Sequence, residues 1–300
     1  MMELIKNTRI DFISLRKKAF VISGIMVLLG IFALVMISLG KANMSVDFTG
    51  GTNVQVKFAE KIDTGDLRKA LSDGGVGDVQ IQEVRGTQEF FIKTKLTDTE
   101  QESLQSKITS ILKAQLTGVG FEVLGSNMVG PGVGETMKRY AIIAIVLALL
   151  GIIIYIAWRF SFIAGIAATI ATFHDVLFVT GVLYLLNKEF NLLVITALLT
   201  IAGYSLNDTV VVFDRIRENT AKMKSRDDFG AVINTSINEV LSRTIITGIT
   251  TLLALGAIMA IGGEVLFDFA FALLIGLIVG TYSSIFIASP ILYVWRKKLR

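Results

Sequence analysis

The sequence predicts a polytopic α-helical membrane protein: six transmembrane helices, with one extracytoplasmic α+β domain between the first and second. Hydrophobic residues make up 53% of the 300 residues and charged residues only 18%, and the mean hydropathy is +0.66. A soluble globular chain does not have that composition. Six apolar stretches approach or exceed the roughly 20 residues that a helix needs to cross hydrocarbon. One long stretch alone, residues 40–137, mixes charges of both signs as a soluble domain does.

Composition also excludes functions. The formal charge of +4 would suggest an anionic partner in a soluble chain, but here most of the excess lies in short segments beside spans. That pattern reports orientation and not nucleic acid. With no cysteine and one histidine, neither a thiolate nor a multi-histidine metal site is expected, and no cofactor. The sequence contains no Gly-x-x-x-x-Gly-Lys phosphate loop and no His-Glu-x-x-His motif, so no enzymatic activity is expected.

Residues 1–39 hold Lys6, Arg9, Arg16, Lys17 and Lys18, then an uncharged run from Ala19 to Leu39. That run exceeds the roughly 7–15-residue core of a signal peptide, and no small-x-small cleavage site follows, so it reads as a span. The basic flank puts the N-terminus in the cytoplasm.

Within the polar stretch, Val54, Val56 and Phe58 alternate with Asn53, Gln55 and Lys57, the pattern of a half-buried strand. Asp63 to Asp73 reads as a helix with Leu67, Ala70 and Leu71 on one face, ended by Gly74-Gly75 and Gly77. Asp78–Val84 and Glu89–Thr94 form a hairpin through Arg85-Gly86-Thr87. Thr97 and Glu100 have capping-box spacing for a second helix carrying Leu104, Ile108, Ile111 and Leu112. Phe121–Val129 closes as a strand. Strand, helix, strand, strand, helix, strand is the split βαβ, or ferredoxin-like, order.

Residues 138–300 then read as a five-helix transmembrane domain. Gly130-Pro131-Gly132-Val133-Gly134 is expected to be a flexible junction before a span over Tyr140–Ala157. Trp158-Arg159-Phe160 turns on the cytoplasmic side into a span over Phe162–Leu186, and Asn187-Lys188-Glu189 turns outside into a span over Leu192–Phe213. A cytoplasmic loop, 214–242, is expected to hold a helix that starts at Asp227-Asp228 and lies along the interface. The fifth span reaches Ile261, and the sixth, an unusually long Val265–Trp295, ends in Arg296, Lys297, Lys298 and Arg300. Both termini are therefore expected in the cytoplasm.

Four polar side chains stand in or at the ends of apolar spans: His174, Asp175, Asp208 and Arg243. An aspartate near the middle of a span costs roughly 2.5–3.5 kcal/mol on insertion scales, so one that is kept faces protein or water. Arginine stays charged, which makes Asp208 the titrating candidate of a proton relay and Arg243 its fixed counter-charge. One charge crossing 100 mV releases about 2.3 kcal/mol, enough to drive work. Three structural readings stand beside this one: a static Asp208–Arg243 pair, a packing role for His174-Asp175, and an Arg243 that snorkels to water. Asp268 receives no role, and Gly276 and Gly280 suit close helix approach.

Taken together, several motifs resemble the SecF family, the smaller subunit of the SecDF component of bacterial protein export. They are Asp47-Phe48-Thr49-Gly50-Gly51-Thr52, Val129-Gly130-Pro131 with Val133-Gly134-Glu135, His174-Asp175, the run from Gly203 through Asn207-Asp208 and Asp214-Arg215 to Asn219, and Ser242-Arg243-Thr244. The resemblance implies a resistance-nodulation-division type fold in the bacterial cytoplasmic membrane. It implies association with SecD, the SecYEG channel with its associated translocase subunits, and preprotein, and use of the proton motive force. With six spans here, a separate SecD is expected to supply the other half of a relay. By the same resemblance Asp208 and Arg243 belong to proton coupling, with His174 and Asp175 as weaker candidates. A small-molecule transporter subunit of the same superfamily and a passive translocase scaffold are the alternative functions.

Overall fold

In the computed structural model of the protein, which describes residues 8–76, 79–84, 87–94, 104–116, 118–223 and 228–298, the first apolar run forms helix α1, Arg16–Ser38. A spanning segment must satisfy its own backbone groups, and a helix does so without a partner. Two compact units follow from the chain path. One contains residues up to 43, 144–189 and those from 193 on; the other contains residues 44–143 and 190–192.

The smaller unit begins with a short helix, α2 (Val46–Thr49), whose N-cap Ser45 accepts a hydrogen bond from the Asp47 N–H. After it come β1 (Gly51–Phe58), α3 (Thr64–Asp73), β2 (Val79–Glu83), β3 (Glu89–Thr94), α4 (Leu104–Gln115) and β4 (Phe121–Val129). All sheet pairs are antiparallel, in the order β2-β3-β1-β4. This is the ferredoxin-like topology that the element order predicts. Val54, Val56 and Phe58 of β1 bury one face against Leu67 and Leu71 of α3 and Ile108 and Leu112 of α4, with Phe58 and Phe90 edge to face at 5.6 Å. The Thr97/Glu100 capping box, the start of a helix near Asp98, and Arg85-Gly86 of the hairpin turn lie outside the described residues.

Gly50 and Gly51 both have positive φ, 70° and 143°, a conformation that only glycine adopts without strain. A Cβ on Gly51 would stand 2.5 Å from the Thr94 carbonyl oxygen, so strand pairing itself requires glycine there. A Cβ on Gly134 would likewise stand 2.7 Å from the Gly50 nitrogen. The expected flexible junction is thus the first turn of a helix, α5 (Pro131–Arg159), seated on the Gly50-Gly51 backbone. Proline suits that position because the first helical N–H groups have no intrahelical acceptor.

The larger unit adds α6 (Phe162–Leu185), capped by Ser161, and α7 (Leu192–Ala221). Next come α8 (Phe229–Ile261), capped by Asp228, and α9 (Gly263–Ser283). A five-residue π turn, Ser284–Ala288, then leads into α10 (Ser289–Lys298). Among the described residues, six helical segments are long and apolar enough to cross a membrane. Much of the expected loop 214–242 is helical: α7 continues to Ala221, and 229–242 is the first part of α8. The amphipathic segment is therefore no separate interface helix, because neither glycine nor proline interrupts the path from Val232 into the fifth span.

About half of the spanning windows of α6, α7 and the α9–α10 segment is buried, 50%, 50% and 56%, against 17%, 6% and 11% for α1, α5 and α8. The first three are central. Gly276 and Gly280 let α9 meet α7: a Cβ on Gly276 would overlap Ile201 at 2.3 Å, and one on Gly280 would touch Ser205 at 3.2 Å. The π turn lies before Pro290, whose ring and missing N–H forbid an ordinary α turn there. The Ser289 hydroxyl donates to the Ser284 carbonyl across it at 2.9 Å. Ahead of α1, Ile10 and Ile13 donate their N–H groups to the side-chain oxygens of Asn238 and Asn234 on α8, so the chain before the first span is clipped down.

Candidate functional site

Ser205, Asp208 and Thr209 recur at three- and four-residue spacing on α7 and so share one face. All three are buried. Across from them on α6 lies Asp175, with no exposed surface. Its Oδ1 is 2.9 Å from His174 Nδ1. Its Oδ2 accepts hydrogen bonds from the hydroxyls of Ser205 at 2.5 Å and Ser283 at 2.6 Å. A buried carboxylate needs such donors, because burial removes its water.

The end of α9 supplies the rest of the site. Thr281-Tyr282-Ser283-Ser284 is a run of four hydroxyl-bearing residues, and the run reaches three other helices. Thr281 donates to Asp208 Oδ2 at 3.3 Å, and Ser283 reaches Asp175. Ser284 Oγ lies 2.9 Å from Thr209 Oγ1. The Tyr282 hydroxyl donates to the Ala19 carbonyl at 3.1 Å and lies 3.1 Å from Ser23 Oγ, which brings α1 to the cluster. The Tyr282 and His174 rings are 6.3 Å apart. His174 Nε2 and Thr172 Oγ1, both buried, have no hydrogen-bond partner among the described residues.

His174, Asp175 and Asp208 are thus brought together, and Arg243 is not. It is exposed on α8, within electrostatic range of Asp208 but in no ion pair with it among the described residues, so the static-pair reading has no contact behind it. Asn207 is exposed, although its neighbour Asp208 is buried. Asp214 and Arg215 work at the end of the bundle instead. Asp214 accepts from Arg159 of α5 at 3.2 Å, and Arg215 joins Glu218 and, at 2.7 Å, Glu239 of α8. In the smaller unit Asp47 Oδ2 accepts from the Leu192 N–H at 3.3 Å, and Phe48 is buried. Asp268, left without a role by sequence, forms an ion pair with Lys188 at 2.7 Å.

Sequence reasoning missed the hydroxyls, Ser205, Thr209, Thr281, Ser283 and Ser284. Serine and threonine cost little in a span, so hydropathy does not flag them. The signal that could have found them is four successive hydroxyl residues shortly before a proline in an apolar run. Chemically, hydroxyls both donate and accept, so a carboxylate among them can take up and release a proton while its neighbours reorient.

Fold and site together define a polytopic membrane protein with a buried carboxylate and hydroxyl cluster among its central helices. Residues 109–298 match the family described as protein export membrane protein SecD/SecF, C-terminal, and residues 41–61 match the SecD/SecF GG motif. The protein translocase subunit SecF of Thermodesulfovibrio yellowstonii is 49% identical over 99% of this chain and 98% of its own. That of Calditerrivibrio nitroreducens is 43% identical over 98% and 96%. The crystal structure of SecDF from Thermus thermophilus superposes with a TM-score of 0.84 at 35% identity, over 99% of this chain and 40% of that one. This chain belongs to the SecD/SecF family, as a member of the SecF type.

Proposed function

We propose that this chain works with a SecD partner to couple the proton motive force to protein export, with Asp175 and Asp208 as the groups that exchange protons. The observation that carries this reading is that two acids among the spanning helices are held by hydroxyls from α7 and α9 and by His174, next to a π turn. Ionisable groups at such depth are costly and mark proton paths, and π turns concentrate at functional sites. The partner follows from two facts. This chain aligns with 35% of the length of the Thermus thermophilus relative named protein translocase subunit SecDF, which supports a SecD partnership. Asn207 and Arg243 are exposed on α7 and α8 beside buried Asp208, and polar groups facing lipid are costly until another helix surface covers them. On this reading Arg243 acts across the contact with SecD.

The family and the charge pattern support the rest of this reading. The chain resides in the bacterial cytoplasmic membrane with both termini inside and the sheet domain outside. It associates with the SecYEG channel, acts on preprotein, and performs no covalent chemistry. The test is export of a pulse-labelled secretory precursor in cells carrying Asp208→Asn or Asp175→Asn as the sole copy. Expected is slow export that an uncoupler slows no further, at normal protein abundance. Normal export would overturn the role of that acid. Full function in both variants, with failure on deletion of the chain, would select the passive scaffold.

A further inference from the structure

At the level of the turn between α5 and α6, a cleft of about 700 Å³ opens among α5, α6, α7, α8 and α10. Its walls are apolar, with Ile163, Phe213, Ile216 and Leu292, and three arginines line it: Arg159, Arg217 and Arg296. Arg159 is neutralised by Asp214 at 3.2 Å. Neither Arg217 nor Arg296 has an acidic side chain within 4 Å among the described residues. Arg296 lies over the Phe229 ring at 4.2 Å, which holds its guanidinium against the cleft without pairing it to an acid among the described residues. Ser161, the N-cap of α6, is also a lining residue, so the positive end of that helix dipole adds to the charges of Arg217 and Arg296.

An apolar slot lined by two guanidinium groups that have no acidic partner among the described residues, near the turn between two spans, has the chemistry of an amphiphile site. Guanidinium forks match phosphate oxygens, and basic pockets between spanning helices bind acidic lipid headgroups. A free phosphate would leave the aromatic and aliphatic walls uncovered. A zwitterionic lipid would bring its own cation to the arginines. We propose that this cleft is a binding site for an anionic phospholipid, with the phosphate between Arg217 and Arg296 and an acyl chain along Phe213, Ile216 and Leu292.

The chain's two tryptophans, Trp158 and Trp295, each adjoin a cleft arginine in sequence, which provides a readout. The full chain in detergent is titrated with brominated phosphatidylglycerol, with brominated phosphatidylcholine of the same acyl chains, and with inorganic phosphate as a competitor. Expected is quenching by the anionic lipid at a concentration about tenfold lower than by the zwitterionic one. The double variant Arg217→Gln with Arg296→Gln loses that preference, and Arg139→Gln, outside the cleft, keeps it. The double Arg→Lys variant, which retains charge and guards against misfolding, keeps a preference. Equal quenching by the two lipids overturns the proposal, as does an unchanged preference in the double glutamine variant. Displacement by millimolar phosphate would assign the site to a free anion and also overturns it.

Discussion

Ser205 on α7 donates its hydroxyl to Asp175 Oδ2 on α6 at 2.5 Å, and the oxygen is shared with Ser283 of α9 at 2.6 Å. One buried carboxylate thereby ties together the three central helical segments. Ser205→Ala removes a donor from a carboxylate with no exposed surface, at a cost of about 1–3 kcal/mol. The expected result is a lower thermal midpoint of the purified protein in detergent, with Ser205→Thr closer to the parent. An unchanged midpoint for the alanine variant would mean that the bond contributes nothing net.

Thr281 is the hydroxyl that reaches Asp208. Thr281→Val keeps the shape and removes the donor, so export should slow while protein abundance stays normal, and Thr281→Ser should retain most of the rate. A valine variant that exports at the parental rate would show that Asp208 operates without this contact.

The Gly50-Gly51 turn offers a test independent of the proton site. Gly51→Ala places a Cβ 2.5 Å from the Thr94 carbonyl at a φ of 143°, and should destabilise the sheet unit by about 2 kcal/mol or more. Gly125, in β4, has open space around its added Cβ. Limited proteolysis should therefore cut the Gly51→Ala protein within residues 44–143 far faster than the parent, and leave Gly125→Ala near parental.

Asp11 sits in the clip before α1. The Ser14 backbone N–H, followed by the Asn234 side chain, holds its carboxyl below the usual carboxylate range. Because the folded-state value is lowered, its stabilising effect is complete above the unfolded carboxylate's range and is lost as pH falls through the lowered value. Hydrogen exchange at the Ile10 and Ile13 amides, which bond Asn238 and Asn234, should accelerate over that acidic window after correction for intrinsic rates. In Asp11→Ala the acceleration should already be present at neutral pH, with no further acid step.

Much of the protein was legible along the chain because the signals are local. A bilayer imposes a length of apolar residues on each span, and period-two alternation at Val54, Val56 and Phe58 marks a strand whatever it pairs with. His174, Asp175 and Asp208 stood out for the same reason, since an ionisable residue in an apolar run needs no neighbour to be noticed. Helix ends were less legible. Pro131 reads as a break in sequence, yet it opens α5, because a proline is compatible with a first turn and only the packing of Gly134 on Gly50 places that turn there.

The sequence by itself determined the membrane class, the strand and helix order of the polar domain, and the acids worth questioning, all properties of residue type and spacing. Only the tertiary structure decided what those acids meet. Asp208 faces Thr281 of α9 and makes no ion pair with Arg243, and Asp175 collects hydroxyls from residues 30 and 108 positions away. The physical reason is that a hydroxyl costs little in a span and carries no mark in the sequence. Its value appears only when close helix approach at Gly280 and the π turn before Pro290 bring it to a carboxylate that has lost its water.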